Sequence, residues 1–315
     1  MIKIGIVGAG AICSSHTETI AENPDCVLVA VCDLAIEKAQ KAVEGTEAKA
    51  YTHYKDMAEK EELDAVILNL PHFLHRDVAI YFLEKKIAVL VEKPMAITTE
   101  ECDAMIEASS KSGAPLAIGH VQRYHACYKK VKEYIQTGEL GKLAHITETR
   151  NCDYFTRRPR WFLDKKTAGG GIIYNYGAHT LDKIRYTTGL EVEEVMAVGN
   201  NFLNEENVEA SAQMYLKYEG GVGAACTYSA GLVPSQYETY FYFTEGVAWV
   251  QNGWHLYVSR KGAPYEKVEL DYSYTIFKEQ LAEFVKLIKG EESQVITPEY
   301  GKAVVSVLER AVAQF

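Results

Sequence analysis

The chain has 315 residues, 48% of them apolar and 24% charged, with a net charge of −10. This is a folded, globular composition, long enough for two domains with separate cores, and its acidic balance argues against nucleic acid or an anionic membrane as partner. No run of eighteen apolar residues is present, and with the first strand pattern beginning at Ile2 no signal peptide is expected. Seven cysteines without a C-x-x-C pair read as reduced thiols and neither as a disulfide framework nor as a metal site, so a cytoplasmic location is expected.

Ile2 to Val7 reads as a buried strand running into Gly8-Ala9-Gly10-Ala11-Ile12-Cys13, followed by a helix pattern to about Glu22. In a strand–glycine turn–helix unit, the first glycine makes the tight turn and the second lets backbone approach a pyrophosphate at the helix N-terminus. Cys13 stands where a third glycine is usual but is small enough to pack. The next strand, Val27 to Cys32, ends in Asp33, about twenty residues past the glycines, where a carboxylate accepts ribose hydroxyls and repels a 2′-phosphate. The expected cofactor is therefore NAD, with NADP the lesser alternative.

Alternation continues with a helix from Leu34 to about Glu44 and a buried strand Asp64 to Leu68 that ends in the turn Asn69-Leu70-Pro71-His72. A helix from Phe73 to Lys85, containing His75, then leads to the strand Ile87 to Val91. That strand stops at Glu92-Lys93-Pro94. Ligands of open α/β sheets sit beyond the carboxyl ends of strands, and a lysine there can exchange a proton with an alcohol; the plainer reading is a solvated Glu–Lys pair. Thr98 and Thr99 cap a further helix, and Pro115 to Gly119 is the last strand of a doubly wound parallel sheet. His120-Val121-Gln122-Arg123-Tyr124 follows at that strand end, where it either lines a cofactor or caps and ion-pairs.

Beyond Tyr124 the character changes. A helix from Tyr128 to Thr137 and a long strand from Lys142 to Tyr154 come first. From Val192 on, period-two segments are separated by Glu219-Gly220-Gly221, Glu245-Gly246, Asn252-Gly253 and Lys261-Gly262, the marks of hairpins in a mainly antiparallel sheet. Helices over Ile276–Lys289 and Pro298–Ala313 close the chain. The boundary is expected at 123/124, giving domains 1–123 and 124–315, with the option that the last helices pack back on the first. Between the sheets lies Gly169-Gly170-Gly171…Asn175…Gly177-Ala178-His179. Three glycines in a row suggest close backbone approach, and Asn175 and His179 share a face if the segment is helical. His179 is either a proton-trading group or a satisfied structural histidine.

Taken together, the Gly8-Ala9-Gly10 turn, the Glu92-Lys93-Pro94 strand end and the Gly169-Gly170-Gly171…Gly177-Ala178-His179 segment resemble the glucose–fructose oxidoreductase, inositol dehydrogenase and MocA family along nearly the whole chain. The resemblance implies a Rossmann domain followed by an α+β domain on a large open antiparallel sheet. It also implies hydride transfer between NAD(P) and a secondary hydroxyl of a sugar or cyclitol. Lys93 matches the family's catalytic lysine, His179 its histidine, and Asn175 falls where many members carry aspartate. Gly8, Ala9, Gly10, Ala11, Ile12, Asp33, Leu70, Pro71, His72, His75, Glu92, Lys93, Gln122, Arg123 and Trp161 are the expected cofactor residues. Lys93, Tyr124, Tyr154, Arg157, Trp161, Asn175 and His179 are expected at the substrate. Arg157, Arg158 and Arg160 either bind an anionic group or pair with neighbours such as Asp164 and Glu148. The aromatic strand Tyr237 to Phe243 is expected to pack one face on its own helices and the other on a second copy, in a homodimer or homotetramer. Tightly held, internally recycled NAD(H) and a non-catalytic redox sensor are the alternatives.

Overall fold

A computed structural model describes residues 1–156, 158–203, 205–231, 234–273 and 275–315. The chain divides into two compact units, Met1–Val121 with Thr275–Val305, and Gln122–Tyr274 with Ser306–Phe315. The division is discontinuous: all of the penultimate helix and half of the last cluster with the first unit.

The first unit alternates β1 (Ile2–Val7), α1 (Cys13–Glu22), β2 (Cys26–Cys32), α2 (Ile36–Ala42), β3 (Lys49–Tyr51), α3 (Tyr54–Lys60), β4 (Ala65–Leu68), α4 (His75–Glu84), β5 (Ala88–Glu92), α5 (Thr99–Ser112) and β6 (Leu116–Gly119). Its strands are all parallel in the order β3-β2-β1-β4-β5-β6. Each central strand feeds two cores, because successive side chains alternate faces. Val66, Leu68, Val89 and Val91 meet α4 and α5, while Ala65, Ile67, Ala88 and Leu90 share the other face with Cys13 and Ile20 of α1. Thr98 caps α5 by accepting from the Glu101 N–H at 3.2 Å, and Glu101 accepts from the Ile97 N–H at 3.0 Å. β3 and α3 carry no strong period, and sequence reading passed over them.

The second unit contains α6 (Ala126–Thr137), β7 (Leu143–Asn151), α7 (Lys165–Ala168), a π-helical turn Ile173–Gly177, α8 (Ala178–Thr188), β8 (Val192–Asn200), β9 (Ser211–Tyr218), β10 (Gly223–Ser229), β11 (Gln236–Phe243), β12 (Gly246–Gln251), β13 (His255–Arg260) and β14 (Glu266–Val268). These eight strands form one sheet in the order β14-β13-β12-β11-β7-β10-β9-β8, antiparallel throughout except for the β7–β10 pair. The four expected hairpin markers all fall between paired strands. Asn252 and Gly253 both take positive φ (53° and 73°), as do Lys261 and Gly262 (50° and 78°), and each pair is the centre of a turn closed by Trp254 N–H on Gln251 O (3.1 Å) or Ala263 N–H on Arg260 O (2.9 Å). Two helices complete the chain: α9 (Ile276–Ile288), whose Leu281 and Phe284 join a core of the parallel sheet, and α10 (Pro298–Val312), across which the unit boundary falls. No helix among the described residues is long and apolar enough to cross a membrane.

Candidate active site

In the first unit, the expected residues gather at the carboxyl edge of the parallel sheet. Gly8 sits at φ +103°, and a Cβ there would lie 2.3 Å from the Asn69 carbonyl oxygen, so only glycine fits between the β1 and β4 strand ends. Gly10 is different: it is exposed, and a Cβ would meet nothing within 4 Å. The helix that follows, α1, has no side-chain cap and no acidic residue in its first turn. Cys13 is buried in the core beneath it, and burial pushes its thiol up to about 11.

Asp33 ties the turn to the end of β2, one carboxylate oxygen accepting from the Ala9 N–H at 2.8 Å and the other from the Ala35 N–H at 2.9 Å. The Asn69 side-chain amide, at the end of β4, is buried with neither its oxygen nor its nitrogen hydrogen-bonded. An uncapped helix start, open space over Gly10, a strand-end carboxylate and an unsatisfied amide fit a dinucleotide: backbone N–H groups for the pyrophosphate, Asp33 for the ribose.

Lys93 follows directly on β5 and is half-buried. Its neighbour Glu92 lies 3.4 Å from His16 Nε2 on α1. Burial alone would raise the Glu92 pKa, but His16 and Lys93 hold it below the usual carboxylate range. His16 escaped sequence reading, since a histidine one turn into a helix carries no local mark of a partner 76 residues away.

His75, expected at the cofactor, has another task. Its ring lies between two backbone carbonyls, Nδ1 at 3.0 Å from Pro94 O and Nε2 at 2.8 Å from Leu70 O, and as a neutral imidazole it donates to one of them. Burial pushes its pKa down. It therefore braces the turn after Lys93 against the end of β4. Leu70 and Pro71 are partly buried, and His72 is buried beside His75.

In the second unit, the three glycines are packing residues. A Cβ on Gly169 or Gly170 would strike the Tyr174 ring at 2.4 or 2.8 Å, and one on Gly171 would reach 2.2 Å from the Glu209 carbonyl. The Glu209 carboxylate accepts from the N–H groups of Gly171 (2.8 Å) and Ile173 (2.9 Å), and burial raises its pKa. This fixes the start of the π-helical turn that carries Asn175; such turns recur at functional sites. Asn175 is 4% exposed and donates from Nδ2 to Tyr154 Oη at 3.2 Å, while His179 is 9% exposed at the start of α8. Tyr154 and Asn175, both assigned to substrate, are thus in direct contact.

Beneath α8 runs a buried charged network that sequence reading missed. Lys183 Nζ lies 3.0 Å from Glu148 Oε2, and it also bonds Tyr237. Thr239 donates to Glu148 at 2.9 Å, and Thr180 donates to its other oxygen. Burial would push the Lys183 ammonium down, but Glu148 and Tyr237 hold its pKa above the usual value. Glu148 therefore does not serve the arginine segment: Arg160 pairs with Glu206 at 2.7 Å, and Asp164 caps α7 and bonds Asn207. Arg157 lies outside the described residues. Arg123 is buried against Asp182, its Nε 3.0 Å away, in an ion pair. Gln122 accepts from the Tyr237 hydroxyl at 3.2 Å, Tyr124 is buried, and Trp161 is stacked on Phe162 with centroids 3.7 Å apart.

Known proteins agree with this architecture. Residues 2–120 match the oxidoreductase family with an NAD-binding Rossmann fold, and residues 128–249 match the GFO/IDH/MocA C-terminal domain. Myo-inositol 2-dehydrogenase of Thermotoga maritima is 28% identical over 314 residues, covering 96% of this chain and 92% of that protein. Inositol 2-dehydrogenase of Salmonella typhimurium is 37% identical over 145 residues, 45% of this chain and 43% of that one. The WlbA dehydrogenase of Bordetella pertussis, solved with NADH and UDP-GlcNAcA, shares the fold at a TM-score of 0.85 and 22% identity over 99% of this chain and 96% of its own. The class is an NAD-binding oxidoreductase. Within it, the chain belongs to the GFO/IDH/MocA family.

Proposed function

We propose that the protein is an NAD-dependent dehydrogenase of a secondary hydroxyl on a sugar, cyclitol or sugar derivative. The observation that carries this is the carboxyl edge of the first unit, where the glycine turn, Asp33, Asn69 and Lys93 stand at the ends of β1, β2, β4 and β5. When bound, the nicotinamide supplies the hydride acceptor or donor. Lys93 takes the hydroxyl proton in oxidation and returns it in reduction. His179 and Asn175 hold the reacting hydroxyl, with Tyr154 fixing the amide of Asn175. The Glu92–His16 contact and the His75 bridge keep the Lys93 turn in place. The inositol dehydrogenase relatives support the hydroxyl-group chemistry and do not favour the recycling or sensor readings.

NAD is preferred over NADP in this reading, because Asp33 would face the 2′-phosphate and the residue after it is Leu34, 82% exposed, in place of a cation. The setting is cytoplasmic, in keeping with seven free cysteines. A homodimer or homotetramer forms through the outer face of the antiparallel sheet. The stacked, half-buried rings of Tyr240, Tyr242, Trp249 and Tyr257 on that face support it.

The test is a screen for NADH formation over sugars, cyclitols and sugar nucleotides, with NAD and NADP titrated separately. Turnover with one class of hydroxyl compound and weaker NADP binding are expected. Equal binding of both cofactors would end the NAD assignment, and Asp33→Ser should narrow the difference. Light scattering of the purified protein reads the oligomer, and a monomer would remove the sheet interface.

A further inference from the structure

Arg150 feels the charge of Glu148, but among the described residues no acceptor meets its N–H groups directly. Its guanidinium carbon lies 3.7 Å from the centroid of the Tyr176 ring and 4.4 Å from that of Tyr237. These rings cover the faces of the group, but its N–H donors lie in its own plane. Among the described residues, none of those donors makes a hydrogen bond or an ion pair, and Nη1 is sealed from solvent without a partner. The carboxylate two residues back on the same strand face, Glu148, is committed to Lys183, Thr180 and Thr239. Leaving a partly desolvated guanidinium edge unmet is costly, whereas a planar oxyanion meets it with two parallel bonds. Arg150 is also joined to the candidate substrate residues. Tyr176 follows Asn175 in the chain, and its ring stands edge-on to Tyr154, 5.7 Å between centroids, whose hydroxyl accepts from Asn175.

We propose that Arg150 is a specificity-determining residue that receives the carboxylate or phosphate of an anionic sugar or cyclitol derivative. This rests on the dehydrogenase reading above and narrows its substrate class.

The test is calorimetric titration of the full protein, in the presence of NAD, with matched compounds on gluco and galacto skeletons: hexose, hexuronate and hexose 6-phosphate. At least one anionic series should bind about ten-fold or more tighter than its neutral parent, as a charge-assisted bidentate pair predicts. The uronate and phosphate arms tell which oxyanion is read. Arg150→Met should erase that preference and leave neutral binding within about two-fold, and Arg150→Lys, which keeps the charge without the planar fork, should fall between. Equal binding of neutral and anionic members, no binding by any anionic member, or an undiminished preference in Arg150→Met overturns the inference. If Arg150→Met does not fold, the wild-type preference and its weakening in Arg150→Lys decide, an undiminished preference in Arg150→Lys overturning the inference. The dehydrogenase reading fails separately, when compounds that bind produce no NADH.

Discussion

The two units hold their candidate groups by different means. In the first, backbone does most of the placing: strand ends set Gly8, Asp33 and Lys93 along one sheet edge, and the His75 ring sits between the Pro94 and Leu70 carbonyls beside the Lys93 turn. In the second, α8 lies on a buried set of charges, Glu148 with Lys183 and Arg123 with Asp182, and Glu209 caps the π-helical turn. Strand-end placement follows from topology and tolerates change in neighbouring side chains. Placement by buried charge depends on every partner being present. Substitutions in the first unit should therefore touch chemistry before stability, and those in the second should touch stability first.

The sharpest break of that comparison is at Lys93. Lys93→Met keeps the aliphatic stem and removes the proton-transfer group, so kcat should drop by roughly 10²–10⁴-fold, the usual worth of a general acid or base. Tm and NAD affinity should barely move. Near-normal kcat would remove the catalytic role, and lost NAD affinity would make Lys93 a cofactor ligand.

Lys183 should behave the opposite way. Lys183→Met leaves Glu148, whose side chain is fully buried, without its counter-charge, which should destabilise the protein by about 3–5 kcal/mol in urea titration. Replacing both partners, Glu148→Gln with Lys183→Met, should cost clearly less than the sum of the single changes. In the first unit, the exposed pair Lys302–Asp103, 2.6 Å apart and screened by solvent, should contribute far less, and its removal should leave the urea midpoint nearly unchanged. Equal losses at the two pairs would dissolve the contrast between the units.

The same contrast explains what could be read from sequence. The parallel sheet was legible because buried strands are continuous apolar runs, and its candidate site residues follow each run within one or two positions, as Lys93 does after Val91. The hairpins of the second unit were legible through Asn252-Gly253 and Lys261-Gly262, since left-handed turn positions favour glycine and asparagine. Glu148 and Lys183 were not: they are 35 positions apart, and nothing in a strand's period marks a carboxylate that will be buried. Glu148 was instead offered to the arginines after Tyr154, its nearer neighbours in sequence. The glycine trio pointed correctly to close approach, but the groups approached, Tyr174 and Glu209, depend on tertiary packing.

Acid stability gives a smaller test. Burial depresses the pKa of His125 to about 4, with the Lys183 charge adding to the effect, so the folded protein keeps it neutral while the unfolded chain protonates it near 6.5. The unfolded state then binds more protons between those values. Stability present above about pH 6.5 is lost as pH falls toward 4, at up to about 1.4 kcal/mol per pH unit. His75 in the first unit shifts in the same direction, again chiefly through burial. His125→Phe keeps a ring against Trp254, 4.3 Å away between centroids, and should flatten the Tm-against-pH curve in that window. An unchanged slope would show that His125 is not the group responsible.

The smallest expected effect is at Asn175, where the chain departs from the aspartate many of its family carry. Asn175→Asp is nearly isosteric, and Tyr154 can accept the change. Burial pushes the phenol pKa up, so it stays protonated and can donate to the new carboxylate where it now accepts from the amide. The variant should fold with little loss. Its new charge lies four residues before His179, within the π-helical turn that leads into α8. A nearby anion favours imidazolium, so His179 should hold its proton to higher pH in the variant. If His179 must be neutral to hold or relay the hydroxyl proton, the acid limb of kcat/KM for oxidation should move to higher pH. Oxidation would be slower near neutrality and close to wild type in alkali, and reduction, which needs a protonated group, should suffer less. pH profiles of both proteins in both directions read this out. An acid limb that stays in place, or moves to lower pH, would mean that the charge on residue 175 does not reach the proton path.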